Sequence, residues 1–461
     1  MASVSENIKS GRYLPPPVKV LVVGGGGREH CIVESLRKSD ADLLAVMGNQ
    51  NPGIRRAATD SAVHDLSDVL GVVAWAKSRA PDLAVVGPEA PLAAGLVDAL
   101  EAADIPTVGP SKAAAQIEAN KEFARDLMRE HRIPGSVDHW TFDDLNTFDA
   151  WLNDCEIELV VKPLGLTGGK GVKVMGDHLA SYGEVLEYGR EILESRIGGA
   201  SRFLVEEKVV GEEFSLQCLT DGKTVVPTPL AQDHKRALEG DRGPNTGGMG
   251  SYSDADHLLP FLTAKDRDAA VSICRKVVEA MRKRGTPFKG CLYGGFMATR
   301  DGVRLLEFNA RFADPECMNV LPLLAGDFAD ACERIATGSL KANVAFHRKA
   351  TVCKYVVPMG YGTKSIGGER LIVDEEAIAA TGAHLYYASV NEADGTVVTT
   401  TSRALAVVGI HHNLEKAEQQ AEEALRFVKG NAYVRHDIGT KAAIRRKVDR
   451  MSKLRGGKGR A

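Results

Sequence analysis

Three short apolar runs near the start of the chain, residues 18–23, 43–47 and 83–86, each end on a glycine, and helix-like segments separate them. Strand-length apolar runs alternating with helical patterns are the mark of βαβ units. This region therefore predicts a parallel sheet with helices on its faces. In such sheets every strand delivers its following loop to one edge, where ligands bind. The glycines at 24–27, 48 and 87 mark that expected edge.

The chain has 461 residues, 44% hydrophobic and 26% charged, enough for about three domains of ordinary size. An N-terminal parallel α/β domain is expected over 18–115, after a loose extension at 1–17. Ala114, Ile117, Phe123, Leu127 and Met128 share one helical face within 111–133, which sets the boundary near 115. A central α/β domain over 116–340 holds strand-like runs at 159–161, 203–205, 214–219, 295–298 and 303–308, with most of the polar motifs. Runs at 351–357 and 404–410 and a helix-like segment at 413–429 predict a covering C-terminal α+β domain over 341–445, without obvious chemistry. A basic tail at 446–461 reads as a solvated end.

Several classes are excluded. A formal charge of -3 and a pI near 6.5 leave no surplus of positive charge to displace counterions from nucleic acid. No run of 18 apolar residues is present to span a membrane, and the first 17 residues lack the apolar stretch of a secretory signal. Eight cysteines without a CxxC pair fit buried thiols in a reducing cytoplasm better than zinc ligands or disulfides.

Three motifs carry chemistry. Gly24-Gly25-Gly26-Gly27-Arg28-Glu29-His30 follows a strand and opens a helix, where bare N–H groups bind phosphate. A dinucleotide reading fails because Glu29 or His30 stands at the third glycine position and no acidic residue follows Met47-Gly48-Asn49. A small phosphorylated sugar suits the loop; a purely structural tight turn is the other reading. Residues 162–172 pack glycines between Lys162 and Lys170, as a flap over a triphosphate would; a surface hairpin would have the same composition. It is not a Walker A loop, because Gly171 stands where Ser or Thr should follow the lysine. In 304–311 the alternation places Glu307, Asn309 and Arg311 on one strand face and Leu306, Phe308 and Ala310 on the other. Hard oxygens two residues apart can hold magnesium against phosphates.

In this order, the loop ending Gly-Gly-Lys-Gly, Glu206-Glu207-Lys208-Val209 with Glu213, and Glu307-Phe308-Asn309-Ala310-Arg311 resemble the ATP-grasp superfamily. Within it, the motifs at 26–30, 86–92, 232–236, 243–250 and 314–316 resemble the phosphoribosylamine–glycine ligase family, with likeness extending over about 18–445. The resemblance implies that the central domain is an ATP-grasp domain. It also implies that Lys121 and Lys162 meet ATP phosphates with Lys170 in the flap, that Glu206, Glu207, Lys208 and Val209 line the adenine, and that Glu213 accepts the ribose hydroxyls. Glu307 and Asn309 match ligands of Mg2+ or Mn2+, and Arg311 an arginine beside an acyl phosphate. Gly26, Gly27, Arg28, Glu29, Pro88 and Glu89 would hold phosphoribosylamine. Asp233, His234, Lys235, Arg236, Gly247, Gly248, Met249 and Gly250 would close the acceptor side. Ala313 departs from the glycine of many relatives.

The implied reaction belongs to purine biosynthesis: glycine attacks the ATP γ-phosphate, and the amine of phosphoribosylamine displaces phosphate from the glycyl phosphate. The expected partners are these small molecules alone, handled by a monomer. Another ATP-grasp enzyme, a carboxylase or a formate-using transformylase, would carry similar loops.

Overall fold

The computed structural model describes residues 17–165, 171–199 and 201–456; Lys170 and most of the N-terminal extension lie outside them. The first five strands are β1 (Lys19–Val23), β2 (Asp42–Met47), β3 (Asp60–Val63), β4 (Leu83–Val86) and β5 (Thr107–Val108). They pair in parallel in the order β3-β2-β1-β4-β5. Val20, Leu21, Val22 and Val23 are fully buried, as strands covered on both faces require. Strand order reverses at β1, so the loops after β1 and β4 open side by side, the usual location of a ligand crevice.

The helix expected within 111–133 is broken. Asn120 leaves the helical region and its side chain accepts N–H bonds from Glu122 and Phe123, ending Gln116–Ala119 and starting Lys121–Glu130. The break turns the second helix so that Lys121 leads it.

Two antiparallel sheets follow. His139–Phe142, Phe203–Glu207, Leu159–Pro163 and Lys173–Val174 form one, closed by a separate aromatic core that includes Phe142, Phe148 and Phe203. Val225–Pro227, Gly211–Asp221, Lys289–Thr299 and Gly302–Asn309 form the other, whose core is continuous with that of the parallel sheet. The last strand corrects the simple alternation. A bulge opposite Gly295 and Phe296 inserts Leu306, so Val303 and Leu305 share the core with Phe308 and Ala310, while Leu306 is only half-buried. The bulge also turns the Leu305 and Leu306 carbonyls toward cations from neighbouring segments.

A third sheet joins Ala350–Pro358, Leu405–His411 and His384–Tyr387 to Gly250–Ser253 and Gln232–Asp233, so it takes strands from before residue 340. The start of the tail is not a solvated end. Helix Lys441–Leu454 docks through Met451, and Arg455 grips Asp266 with two bonds of 2.8 Å.

His30 links the first helix to the C-terminal part: its Nδ1 accepts the Tyr387 N–H at 2.8 Å. Burial lowers its pKa from 6.5 to about 4. The folded value lies below the unfolded one, so stability is complete above pH 6.5 and is lost as pH falls from there toward 4, by about 3 kcal/mol for this group. In His30→Asn the amide oxygen can replace Nδ1 as acceptor without titrating. Urea unfolding of this variant across that window should show a pH slope smaller by about one proton's worth, roughly 1.4 kcal/mol per pH unit; an unchanged slope would remove His30 as the titrating group.

Candidate active site

Glu307 is the centre of a convergence. Lys235 lies 3.8 Å from its carboxylate. Burial alone would raise the Glu307 pKa, yet Lys235, Lys162, Lys121 and Arg311 together hold it below the ordinary carboxylate range. Four cations drawn from four segments therefore act on one carboxylate, with Lys235 at ion-pair distance.

Each cation is fixed by local structure. Lys162, at the end of strand Leu159–Pro163, is buried; its Nζ donates to Glu206 at 2.6 Å and to the Leu306 carbonyl at 3.2 Å. Arg125 holds the other Glu206 oxygen at 2.7 Å and also donates to the Leu305 and Leu306 carbonyls. Burial pushes the Glu206 pKa up, but Arg125 and Lys162 bring it down to about 2. Lys121 Nζ donates to the Gly165 carbonyl at 2.9 Å, at the root of the flap. Burial lowers its pKa, and the nearby Glu307 opposes that. Lys235 also pairs with Glu213 at 3.2 Å, and the carboxylates of Glu213 and Glu307 raise its pKa.

The segment expected to line a base presents its side chains elsewhere. The Glu206 carboxylate faces Lys162 and Arg125, Glu207 accepts the Asp138 N–H, and Lys208 donates to the Met175 carbonyl and pairs with Glu158. Val209 is half-buried.

On the other side of Glu307, Arg311 meets Glu118 at 3.1 Å and Glu89 at 3.4 Å. Glu89 opens the helix after Pro88 and also lies 4.0 Å from Arg28. Burial raises its pKa, but Arg311 and Arg28 outweigh this and set it at about 2. Arg28 donates to Glu29 and to the Phe312 carbonyl, so the loops after β1 and β4 are tied to the end of strand Gly302–Asn309. Glu29 is spent inside its own loop: its carboxylate accepts the Gly26 N–H at 2.7 Å, over Gly24 at φ +125°. Gly26 caps the helix and Gly27 begins it, so both stand at its N-terminus.

The acceptor-side motifs are locked together by backbone bonds, His234 N–H to Gly250 O at 2.9 Å and Met249 N–H to His234 O at 2.8 Å. Gly248 sits at φ +106°, where a Cβ would lie 2.6 Å from Pro315 and 2.7 Å from Asp233. Asp233 Oδ1 is buried without a hydrogen-bond partner, and burial, followed by Glu316, pushes its pKa well up. His234 and Met249 are buried, and burial lowers the His234 pKa to about 3. Arg236 turns away to Asp177 at 3.1 Å and to the Gly243 carbonyl. Ala313 lies outside the positive-φ region, so alanine fits there without strain; its N–H donates to Gln217.

Three family models cover most of the chain: the N domain of phosphoribosylglycinamide synthetase matches residues 18–118, the ATP-grasp (A) domain 119–317 and the C domain 351–441. The phosphoribosylamine–glycine ligase of Methanothermobacter thermautotrophicus is 49% identical over 95% of this chain and 100% of that one. The chain belongs to the phosphoribosylamine–glycine ligase family. A crystal structure of the Thermotoga maritima ligase superposes with a TM-score of 0.78 at 25% identity, covering 91% of this chain and 100% of that chain. A biotin carboxylase from Campylobacter jejuni shares the fold alone, with a TM-score of 0.70 at 12% identity over 94% of this chain and 95% of that chain.

Beyond the motifs that mark the family, the site contains groups that sequence reading missed. Arg403, from the C-terminal part, donates to the carbonyls of Gly247 at 2.6 Å, Gly248 at 3.1 Å and Asp314 at 2.9 Å while lying over the Tyr355 ring. No periodicity marks it. Arg125 and Glu118 were readable only as charged residues inside otherwise amphipathic helices.

Proposed function

We propose that this ATP-dependent ligase of purine biosynthesis makes glycinamide ribonucleotide from phosphoribosylamine, glycine and ATP through a glycyl phosphate. The observation that carries the reading is the convergence of Lys121, Lys162, Lys235 and Arg311 on Glu307. Such a cluster suits a triphosphate and a transferring phosphoryl group, whose catalysis rests on positioning and charge neutralisation.

Lys121 and Lys162 are assigned to the ATP phosphates, with Lys170 from the flap. The main chain of Glu206, Glu207, Lys208 and Val209 is assigned to the adenine, and Glu213 to the ribose. Arg28, Gly26, Gly27, Pro88 and Glu89 form the phosphoribosylamine side, with Glu29 shaping their loop. Asp233, Lys235 and the backbone of Gly247, Gly248 and Gly250 border the glycine. His234 and Met249 brace that border from within, and Arg236 anchors it at its far end. Arg311 is placed to stabilise the acyl phosphate.

Glu307 and Asn309 fit a divalent cation. Glu118 and the Phe308 carbonyl, both acceptors, assign the Asn309 amide nitrogen to their side and its oxygen to the opposite one. Among the described residues no group of three His, Cys, Asp or Glu could hold a metal alone. Two protein oxygens completed by phosphate and water suit Mg2+, and Mn2+ accepts the same set. When bound, the cation would offset charge on the phosphates.

Glycine's carboxylate oxygen bonds to the γ-phosphorus as ADP leaves; the amine nitrogen then bonds to the glycyl carbon as phosphate leaves. All eight cysteines are free and seven are buried, which suits a reducing cytoplasm, and the proposed partners are small molecules acting on a monomer.

Positional isotope exchange tests the intermediate. ATP labelled at the βγ-bridge oxygen should scramble its label when glycine is present without phosphoribosylamine. ADP release with phosphoribosylamine should require glycine, with bicarbonate and formate inactive. Turnover without any exchange in the half-reaction would favour a concerted route, and activity with bicarbonate would favour a carboxylase.

A further inference from the structure

Strand Gly302–Asn309 ends against Glu118, a buried carboxylate in the short helix Gln116–Ala119, two residues before the break that starts the Lys121 helix. Its Oε2 accepts the Ala310 N–H at 2.7 Å. Its Oε1 meets Arg311 Nη2 at 3.1 Å and lies 3.3 Å from the Asn309 side-chain amide, whose nitrogen is assigned to this side because both of its neighbours there are acceptors. Three consecutive residues, 309 to 311, are thus held by one carboxylate, through an amide, a backbone N–H and a guanidinium.

The consequence for Asn309 is directional. A carboxamide rotated by half a turn would present nitrogen, a donor, where a cation needs oxygen. Only an acceptor beside the amide selects the useful orientation, and Glu118, as a carboxylate, can only accept. The same oxygen holds Arg311, which among the described residues otherwise has only Glu89 as an ion-pair partner. Glu89 also serves Arg28 across the crevice. Groups behind metal ligands commonly fix their orientation in this way, and their loss costs about 10–100-fold in affinity or activity.

We propose that Glu118 is a positioning residue that orients the Asn309 carboxamide toward the metal and Arg311 toward the transferred phosphoryl group. It touches neither ligand. The proposal rests on the assignment of Glu307 and Asn309 as the metal pair, and its test separates the two.

Binding of Mn2+ in the presence of ADP is measured by electron paramagnetic resonance in the wild type, Glu118→Gln, Glu118→Ala and Glu307→Gln. Glu118→Gln keeps the size and one acceptor oxygen but places an NH2 against donors. It should weaken Mn2+ binding by about tenfold and lower kcat by about 10–100-fold, with KM for glycine within about threefold. Glu118→Ala should do at least as much. Should it unfold, as urea titration would reveal, the Gln variant decides alone. Wild-type Mn2+ affinity in a folded Glu118 variant, alongside lost affinity in Glu307→Gln, overturns the positioning role and leaves the metal assignment standing. Wild-type affinity in Glu307→Gln as well overturns both.

Discussion

Glu307→Gln is expected to lower glycine-dependent ADP release by about a thousandfold while leaving thermal unfolding within a few degrees of wild type. The side chain is 35% exposed and makes one long ion pair, with Lys235, so little packing depends on it. Its charge is another matter. Lys235, Lys162, Lys121 and Arg311 act on it electrostatically, and the neutral amide would remove the negative charge that offsets them and offer the cation a neutral oxygen in place of a carboxylate. The loss should appear in kcat, because phosphoryl-transfer catalysis depends on charge neutralisation that grows toward the transition state. Raising Mg2+ should recover part of it. A variant that turns over at the wild-type rate would take the metal assignment away.

Lys162→Met is expected to cost both activity and stability. Rate should fall by about 10²–10³-fold, since a preorganised cation is removed from the phosphate side. Stability should fall by about 1–3 kcal/mol, because buried Glu206 loses one of two charged donors while Arg125 remains. The pH profile carries the signature. With a folded pKa of about 2, below its unfolded value, Glu206 stabilises the fold above the ordinary carboxylate range, and that contribution is lost only as pH falls toward 2. Without Lys162 the folded pKa rises, so the acid limb of the stability curve should move to higher pH. Urea midpoints between pH 3 and 7 would show it, and an unmoved limb would mean that Arg125 alone governs Glu206.

Local features were the legible ones. The runs at 43–47 and 83–86 become strands of that extent or one residue more, because a fully buried parallel strand is written as a continuous apolar run. The glycine-rich segments that hold Gly24 and Gly248 could be located from the sequence, though not the positive φ at those two residues. Side-chain partners could not. Glu206 sits in a segment whose pattern says only that it is a strand, and its carboxylate is satisfied by Arg125, 81 positions away. The bulge at Leu306 escaped because alternation assumes an unbroken register, and the break at Asn120 because apolar periodicity carries across a capped junction. The start of the tail was read as solvated from its charges, yet Arg455 and Met451 are held by tertiary contacts that composition does not encode.

The Arg403 clamp bears on when the enzyme becomes complete during synthesis. A nascent chain that has exposed strand Gly302–Asn309 already carries both oxygens proposed for the cation and the lysines around them. The carbonyls of Gly247 and Gly248 still await a guanidinium encoded some 155 positions later. A chain that ends before Arg403 would therefore leave the acceptor border unpinned.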